Sequence, residues 1–169
     1  MKILVDADSC PRPTREAILR AAQRTGVRAV FAANRSIPGI QGDGMELCPP
    51  GEGAADDRIV ALAEPGDLAI TRDIPLAARL VAAAIRVVDD RGRVYTAENI
   101  RERLSLRDFM VDLAQSGLGP VRTAAYGKKE LKAFADGFDR ELARLIREDR
   151  RPAAISVLPP APDTAPGSA

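Results

Sequence analysis

Histidine is absent from this chain of 169 residues, tryptophan is absent too, and cysteine occurs only twice, as Cys10 and Cys48. Each absence excludes a class of chemistry. Without imidazole there is no Ser-His-Asp or Cys-His nucleophile system, and no zinc site with a histidine ligand. Two cysteines make no disulfide framework. Four phenylalanines and two tyrosines leave little material for a platform on which bases stack. No apolar run approaches the length of a membrane span, and no basic-then-apolar leader precedes the first strand-like segment. A cytoplasmic protein without a membrane partner is therefore expected. Any acid–base or metal chemistry has to run on carboxylates, hydroxyls, thiols, lysines or the backbone.

Neither sign of charge is in excess: 25 Lys and Arg stand against 24 Asp and Glu. Their distribution is uneven. Residues 1–90 carry 11 basic and 13 acidic side chains, net −2, whereas residues 91–151 carry 14 and 10, net +4. An acidic front and a mildly basic back suit a cation-holding site flanked by a surface for an anionic substrate. Ordinary surface scatter gives the same counts.

What is present is an alternation of strand-like and helix-like stretches. Ile3-Leu4-Val5 is a short apolar run ended by Asp6, Asp8 and Pro11, and reads as a buried strand breaking into a loop. Thr14 opens a helix with Ala17, Ile18, Ala21 and Ala22 on one face, prolines at its permitted start and Gly26 at its end. Residues 27–33 read as a second strand, and a short one is expected around 45–48. A helix over 54–64, a strand over 67–71, a helix from Ile74 or Pro75 to about 84 and a strand over 86–88 follow, with a turn at 89–92. This order predicts a three-layer α/β/α domain with a mainly parallel central sheet. Beyond it the pattern is helical: a short segment capped at Thr96–Asn99, another over 104–115 and a long one over 129–148. The stripe Leu131, Phe134, Phe138, Leu142 and Leu145 is read as a docking face. Residues 1–150 are expected to form one α/β domain, and 151–169, rich in Pro and Ala, a disordered tail.

In an open parallel sheet, ligands bind beyond the carboxyl ends of the strands. Asp6 and Asp8 leave the first strand there and share a side if the extended conformation persists. Asp73 follows the strand ending at Thr71, and Asp56 and Asp57 open a helix, where acids also suit the dipole. Carboxylates held close repel unless a cation compensates, and hard ions such as Mg2+ and Mn2+ prefer oxygen ligands. Such a cluster supports phosphodiester hydrolysis, with Arg101, Arg103, Arg107, Arg122, Lys128, Lys129 and Lys132 available for phosphates. Ser9 and Thr71 are candidates to bond the carboxylates or a substrate phosphate. Asn34 ends the second strand at the same edge, as a turn residue or pointing into the crevice. Cys10, beside a proline, is read as a packing residue rather than a reactive thiol.

Val5-Asp6-Ala7-Asp8-Ser9-Cys10-Pro11, Ala55-Asp56 and the run from Gly66 through Thr71-Arg72-Asp73-Ile74-Pro75 to Ala77 strongly resemble the bacterial YaiI/YqxD family. Arg91-Gly92-Arg93-Val94-Tyr95-Thr96, Glu98-Asn99-Ile100 and Leu106-Arg107-Asp108-Phe109-Met110 continue the resemblance, which spans about residues 1–140. It implies a PIN-like domain, a nuclease fold built on a parallel sheet. It also implies Asp6, Asp8, Asp56 and Asp73 as the catalytic and metal-binding set, with Asp57 ranked below Asp56, and Arg107 as the basic residue to test first. Departures fall at Ser116-Gly117-Leu118-Gly119-Pro120, where the family has Gly-Gly-Pro, and at Glu130, where it has Asp.

The leading expectation is a Mg2+- or Mn2+-dependent nuclease, RNA favoured over DNA by analogy. A non-catalytic metal- or nucleic-acid-binding or regulatory protein is the first alternative. The second is a haloacid-dehalogenase-like phosphatase, which also uses an Asp-x-Asp but needs a well-placed lysine; only Lys2 occurs in the first hundred residues. A homo-oligomer is possible on this reading, with nothing in the sequence arguing for it.

Overall fold

The computed structural model describes residues 1–40, 42–116 and 125–150. The tail expected at 151–169 and the family departure at Gly117–Pro120 lie outside the described residues. Strands β1 (Ile3–Asp6), β2 (Ala29–Ala33), β3 (Met45–Leu47), β4 (Leu68–Ile70), β5 (Arg86–Val88) and β6 (Val94–Tyr95) form one sheet in the order β3-β2-β1-β4-β5-β6. Every pairing is parallel except the β5–β6 hairpin. The helices are α1 (Arg12–Thr25), α2 (Ala54–Leu62), α3 (Ile74–Ala82), α4 (Asn99–Gln115) and α5 (Lys128–Asp149).

Side-chain alternation along the strands sorts the core into two layers. Ile3, Val5, Phe31, Ala33, Leu68, Ile70 and Val88 face α1 and α5, meeting Ile18, Ala21, Phe134, Phe138, Leu142 and Leu145. Leu4, Val30, Ala32, Ala69 and Val87 face the other way and meet Ile59 of α2, Leu76, Ala77 and Leu80 of α3, and Ile100. This is the expected three-layer α/β/α arrangement. Strands covered on both faces read as continuous apolar runs, which is why they were visible in the sequence. The α5 stripe docks as expected, with the Phe134 and Phe138 rings stacked at 5.2 Å.

Local signals set the ends of the helices. Pro13 lies in the first turn of α1, and Gly26 closes it in the left-handed conformation at φ 73°. Asp73 caps α3 by accepting from the Leu76 amide at 2.8 Å. Two elements differ from expectation. α4 is one continuous helix, because Thr96 and Asn99 exchange bonds between amide and side chain (3.0 and 3.3 Å) ahead of a stretch with no breaker. β6 is only two residues long, too short to show alternation. Its hairpin is held by Asp89 Oδ1, which accepts from the Arg91 and Arg93 amides, both at 2.8 Å.

At the opposite, amino-terminal edge of the sheet, Asp67 is 1% exposed. It accepts from the amides of Lys2 (2.8 Å) and Glu64 (3.0 Å) and pairs with Lys2 Nζ at 2.8 Å. A buried carboxylate with this many donors is fully compensated. Among the described residues no helix is long and apolar enough to cross a membrane.

Candidate functional site

β1 has β2 on one side and β4 on the other, so the chain's crossovers leave it in opposite directions. The gap beyond the carboxyl ends of β1 and β4 is the topological switch point of the sheet, where such folds place ligands. Asp6 is the last residue of β1. By alternation it lies on the side of Leu4, facing α2 and α3 rather than α1. Thr71 and Asp73 follow β4, and Asp56 lies in the first turn of α2. Three elements distant in sequence thus deliver Asp6, Asp56 and Asp73 to one place.

Asp6 is 5% exposed and Thr71 3%. Asp6 Oδ2 accepts from Ser9 Oγ at 2.6 Å and from Thr71 Oγ1 at 2.8 Å. Thr71 Oγ1 in turn accepts from the Asp73 amide at 2.9 Å. The hydroxyl therefore ties the end of β1 to the start of α3, and both hydroxyl candidates bond a carboxylate. One Asp73 oxygen is engaged in capping α3. Asp6 Oδ1, Asp73 Oδ2 and the Asp56 carboxylate make no hydrogen bond among the described residues.

Asp56 reports the crowding. Its carboxyl is pushed up from 3.8 to about 6, first by burial and then by the negative charges of Asp6 and Asp73, with Arg79 opposing. A folded-state pKa above the unfolded one means the folded chain holds this proton more tightly. The stabilisation is complete below about pH 4 and is lost as pH rises through 6. Asp56→Asn should abolish that loss. After discounting for solvent screening at a half-buried site, the stability of the variant relative to the metal-free wild type should rise by about 1 kcal/mol between pH 4 and pH 7.5. Urea denaturation at the two pH values measures it.

Asp8 is placed differently. β1 ends at Asp6, the next residues turn, and the extended conformation that would align the two carboxylates does not persist. Asp8 Oδ2 accepts from the Asn34 amide at 2.8 Å, and Oδ1 lies 3.5 Å from Arg35 Nε, so Asp8 braces its loop against the exit of β2. Asn34 donates its side-chain amide to Gly51 O at 3.2 Å, a loop contact. Asp57 is exposed and bridges α2 to α3 through Arg79 at 2.7 Å. Arg107 lies on α4 and pairs with its neighbour Asp108 at 3.2 Å. The Cys10 thiol is buried and pushed up to about 12 by that burial, in keeping with packing. Glu130 accepts from the Gly127 amide at 2.9 Å and caps α5.

Sequence reading passed over Asp90. It follows β5, the next strand along the same edge, and is 6% exposed. Burial raises its pKa, and its Oδ2 lies 4.0 Å from Arg72 Nη1. Its carbonyl accepts from the Tyr126 hydroxyl at 3.0 Å, which also bonds Thr14 Oγ1 at 2.6 Å. A pair of acids after an apolar strand, Asp89 and Asp90, was the available signal. The turn reading of 89–92 hid it.

Over residues 4–144 the sequence matches the model of a family described as "Uncharacterized BCR, YaiI/YqxD family". The chain belongs to the YaiI/YqxD family. Its relatives include a "UPF0178 protein" of Treponema pallidum, 51% identical over 89% of this chain and 86% of that one. Another, from Myxococcus xanthus, is 46% identical over 88% and 99%. A third, from Syntrophobacter fumaroxidans, is 46% identical over 87% and 97%. No solved structure matches the chain. The match to the YaiI/YqxD family runs from β1 into α5, and it carries no activity with it.

Among the described residues no group of three or more Asp, Glu or Cys side chains is arranged as a ready-made ion cage. In this YaiI/YqxD protein Asp6, Asp56 and Asp73 share one electrostatic field without closing into a coordination shell.

Proposed function

We propose that the protein is a divalent-metal-dependent nuclease that hydrolyses phosphodiester bonds at the switch point of its sheet. The observation that supports this most directly is the Asp56 carboxyl, raised to about 6 in part by two carboxylates from other elements. Three acids brought together by folding, against their mutual repulsion, call for a cation. The donor set suits a hard ion, because it consists of carboxylate oxygens with no soft ligand. The layered, mainly parallel sheet accords with a PIN-like fold, and RNA is favoured over DNA through that resemblance alone.

Asp6, Asp56 and Asp73 would hold the ion, which when bound polarises the phosphoryl group and lowers the pKa of water. Binding has to draw the three carboxylates together, and Asp56 has to give up its proton. Ser9 and Thr71 orient Asp6 by saturating one of its oxygens, which leaves Oδ1 for the ion. Asp73 divides its oxygens in the same way between the helix cap and the site. Arg72, adjacent in sequence to Asp73 and 54% exposed, is a cation at this edge available to a substrate phosphate. The phosphatase alternative is not favoured by the geometry: Lys2 lies at the far edge of the sheet, paired with Asp67 and Glu64.

Calorimetric titration with MnCl2 at pH 6, followed by incubation with labelled RNA and DNA oligonucleotides, tests the reading. Saturable binding with proton release, and cleavage of one polymer, is the expected result. Binding without cleavage would move the assignment to the non-catalytic alternative. No binding at millimolar Mn2+ would end the nuclease reading and the metal-binding form of the alternative.

A further inference from the structure

Leu106, Phe109 and Val111 of α4 are exposed, and Leu104, Met110 and Leu113 are half-buried. Only Ile100, in its first turn, is buried, where the helix packs on α3. Leu106 is 52% exposed, Phe109 58% and Val111 39%. With Met110 and Leu113, Leu106 and Phe109 fall at i, i+3, i+4 and i+7, one continuous stripe along the helix. On α5 a stripe of the same kind is buried against the sheet. On a chain with few aromatic residues, a phenylalanine left more than half exposed within such a stripe marks an interaction surface.

Charge on the same helix indicates what covers it. Arg101, Arg103 and Arg107 against Glu102 give the half from 99 to 107 a net +2, and Asp108 and Asp112 give the half from 108 to 115 a net −2. This polarity opposes the helix macrodipole, which favours acids at the start and bases at the end. A second copy of the same helix running antiparallel about the centre of the stripe brings Arg107 of each copy level with Asp112 of the other and opposes the two dipoles. A parallel copy sets like against like.

We propose that two copies of the chain associate through α4, antiparallel about a two-fold axis near Phe109 and Met110, with the Leu106–Leu113 stripe as the seam. Such an isologous contact closes on itself. A 17-residue helix is about 25 Å long, so the interface sits at the small end of specific contacts, and the dimer should dissociate at roughly micromolar concentration. Nothing in this contact depends on the acidic edge.

Sedimentation equilibrium of the full chain from about 1 to 200 μM tests it. The expected result is a monomer–dimer equilibrium in the wild type and monomer throughout for Phe109→Glu, with unchanged circular dichroism because the position is exposed. Orientation is read by crosslinking: a mixture of Leu106→Cys and Leu113→Cys chains should form the mixed disulfide under oxidised glutathione, and Leu106→Cys alone should not pair with itself. The native Cys10 and Cys48 are buried and serve as background in the wild-type control. A wild type that stays monomeric at 200 μM overturns the proposal. So does a Phe109→Glu variant that still dimerises, or a Leu106→Cys homodimer.

Discussion

Asp6→Asn is expected to remove metal-dependent cleavage by roughly 10³-fold, the scale of losing one electrostatic contact with developing charge at an active centre. The substitution is chosen for what it spares. Ser9 Oγ and Thr71 Oγ1 both donate to one oxygen of Asp6, and an asparagine keeps one acceptor oxygen for them. What disappears is the negative charge at a nearly buried position. The metal-free variant should therefore be as stable as the wild type or slightly more so, and its Asp56 should titrate lower, because one of the charges raising it is gone. Thr71→Val, which leaves the charge and removes a donor that orients it, should cost about 10- to 100-fold. Asp8→Asn should cost less than Asp6→Asn, since Asp8 is committed to Asn34 and Arg35. Initial cleavage rates with Mn2+, read beside denaturation midpoints without metal, separate these outcomes. Equal rates for Asp6→Asn and wild type would refute the assignment.

The second large effect concerns the fold. A glycine inside a helix normally gains about 1 kcal/mol when replaced by alanine. Gly137 should do the reverse. Its added Cβ would lie 2.3 Å from the Gly92 carbonyl oxygen and 2.8 Å from Gly92 Cα. These are backbone atoms, so no side chain can rotate away. Gly92 is itself held at φ 79°, and a Cβ there would meet the Ala133 carbonyl oxygen at 2.1 Å. Gly137→Ala forces α5 off the β5–β6 turn, and the stacked Phe134 and Phe138 with it. A cost of about 3 kcal/mol or more follows, with a melting temperature lower by roughly 10 °C. Gly26→Ala is the control: unlike Gly137 it has a positive φ, 73°, but nothing lies within 4 Å, so only the backbone penalty of about 1 kcal/mol applies. A Gly137→Ala protein as stable as Gly26→Ala would show that α5 can shift without loss.

The layered sheet was legible because its central strands are buried on both faces and appear as unbroken apolar runs between helix signals. Asp6, Asp56 and Asp73 were legible because a parallel sheet sends the ends of β1 and β4 and the start of α2 to one edge. The turn of Asp8 toward β2 was not, since it depends on where β1 stops, and one residue of extension changes the face. Asp90 was missed because an acid in a tight turn carries the same local signature whether it is exposed or, as here, buried beside Arg72. The unity of α4 was missed because a cap formed by Thr96 and Asn99 looks alike ahead of a short helix or a long one. The clash at Gly92 and Gly137 lies 45 positions apart in the chain, beyond anything periodicity records.

The position of α5 also bears on how the protein is made. β1 is synthesised before the helix that shelters one side of the sheet, which runs from Lys128 to Asp149. Until it leaves the ribosomal tunnel, Phe31, Leu68 and Ile70 have only α1 to shield them. Translation products that stop ahead of α5 should therefore be adhesive species that recruit chaperones, and acquisition of the native state should wait for that helix to emerge.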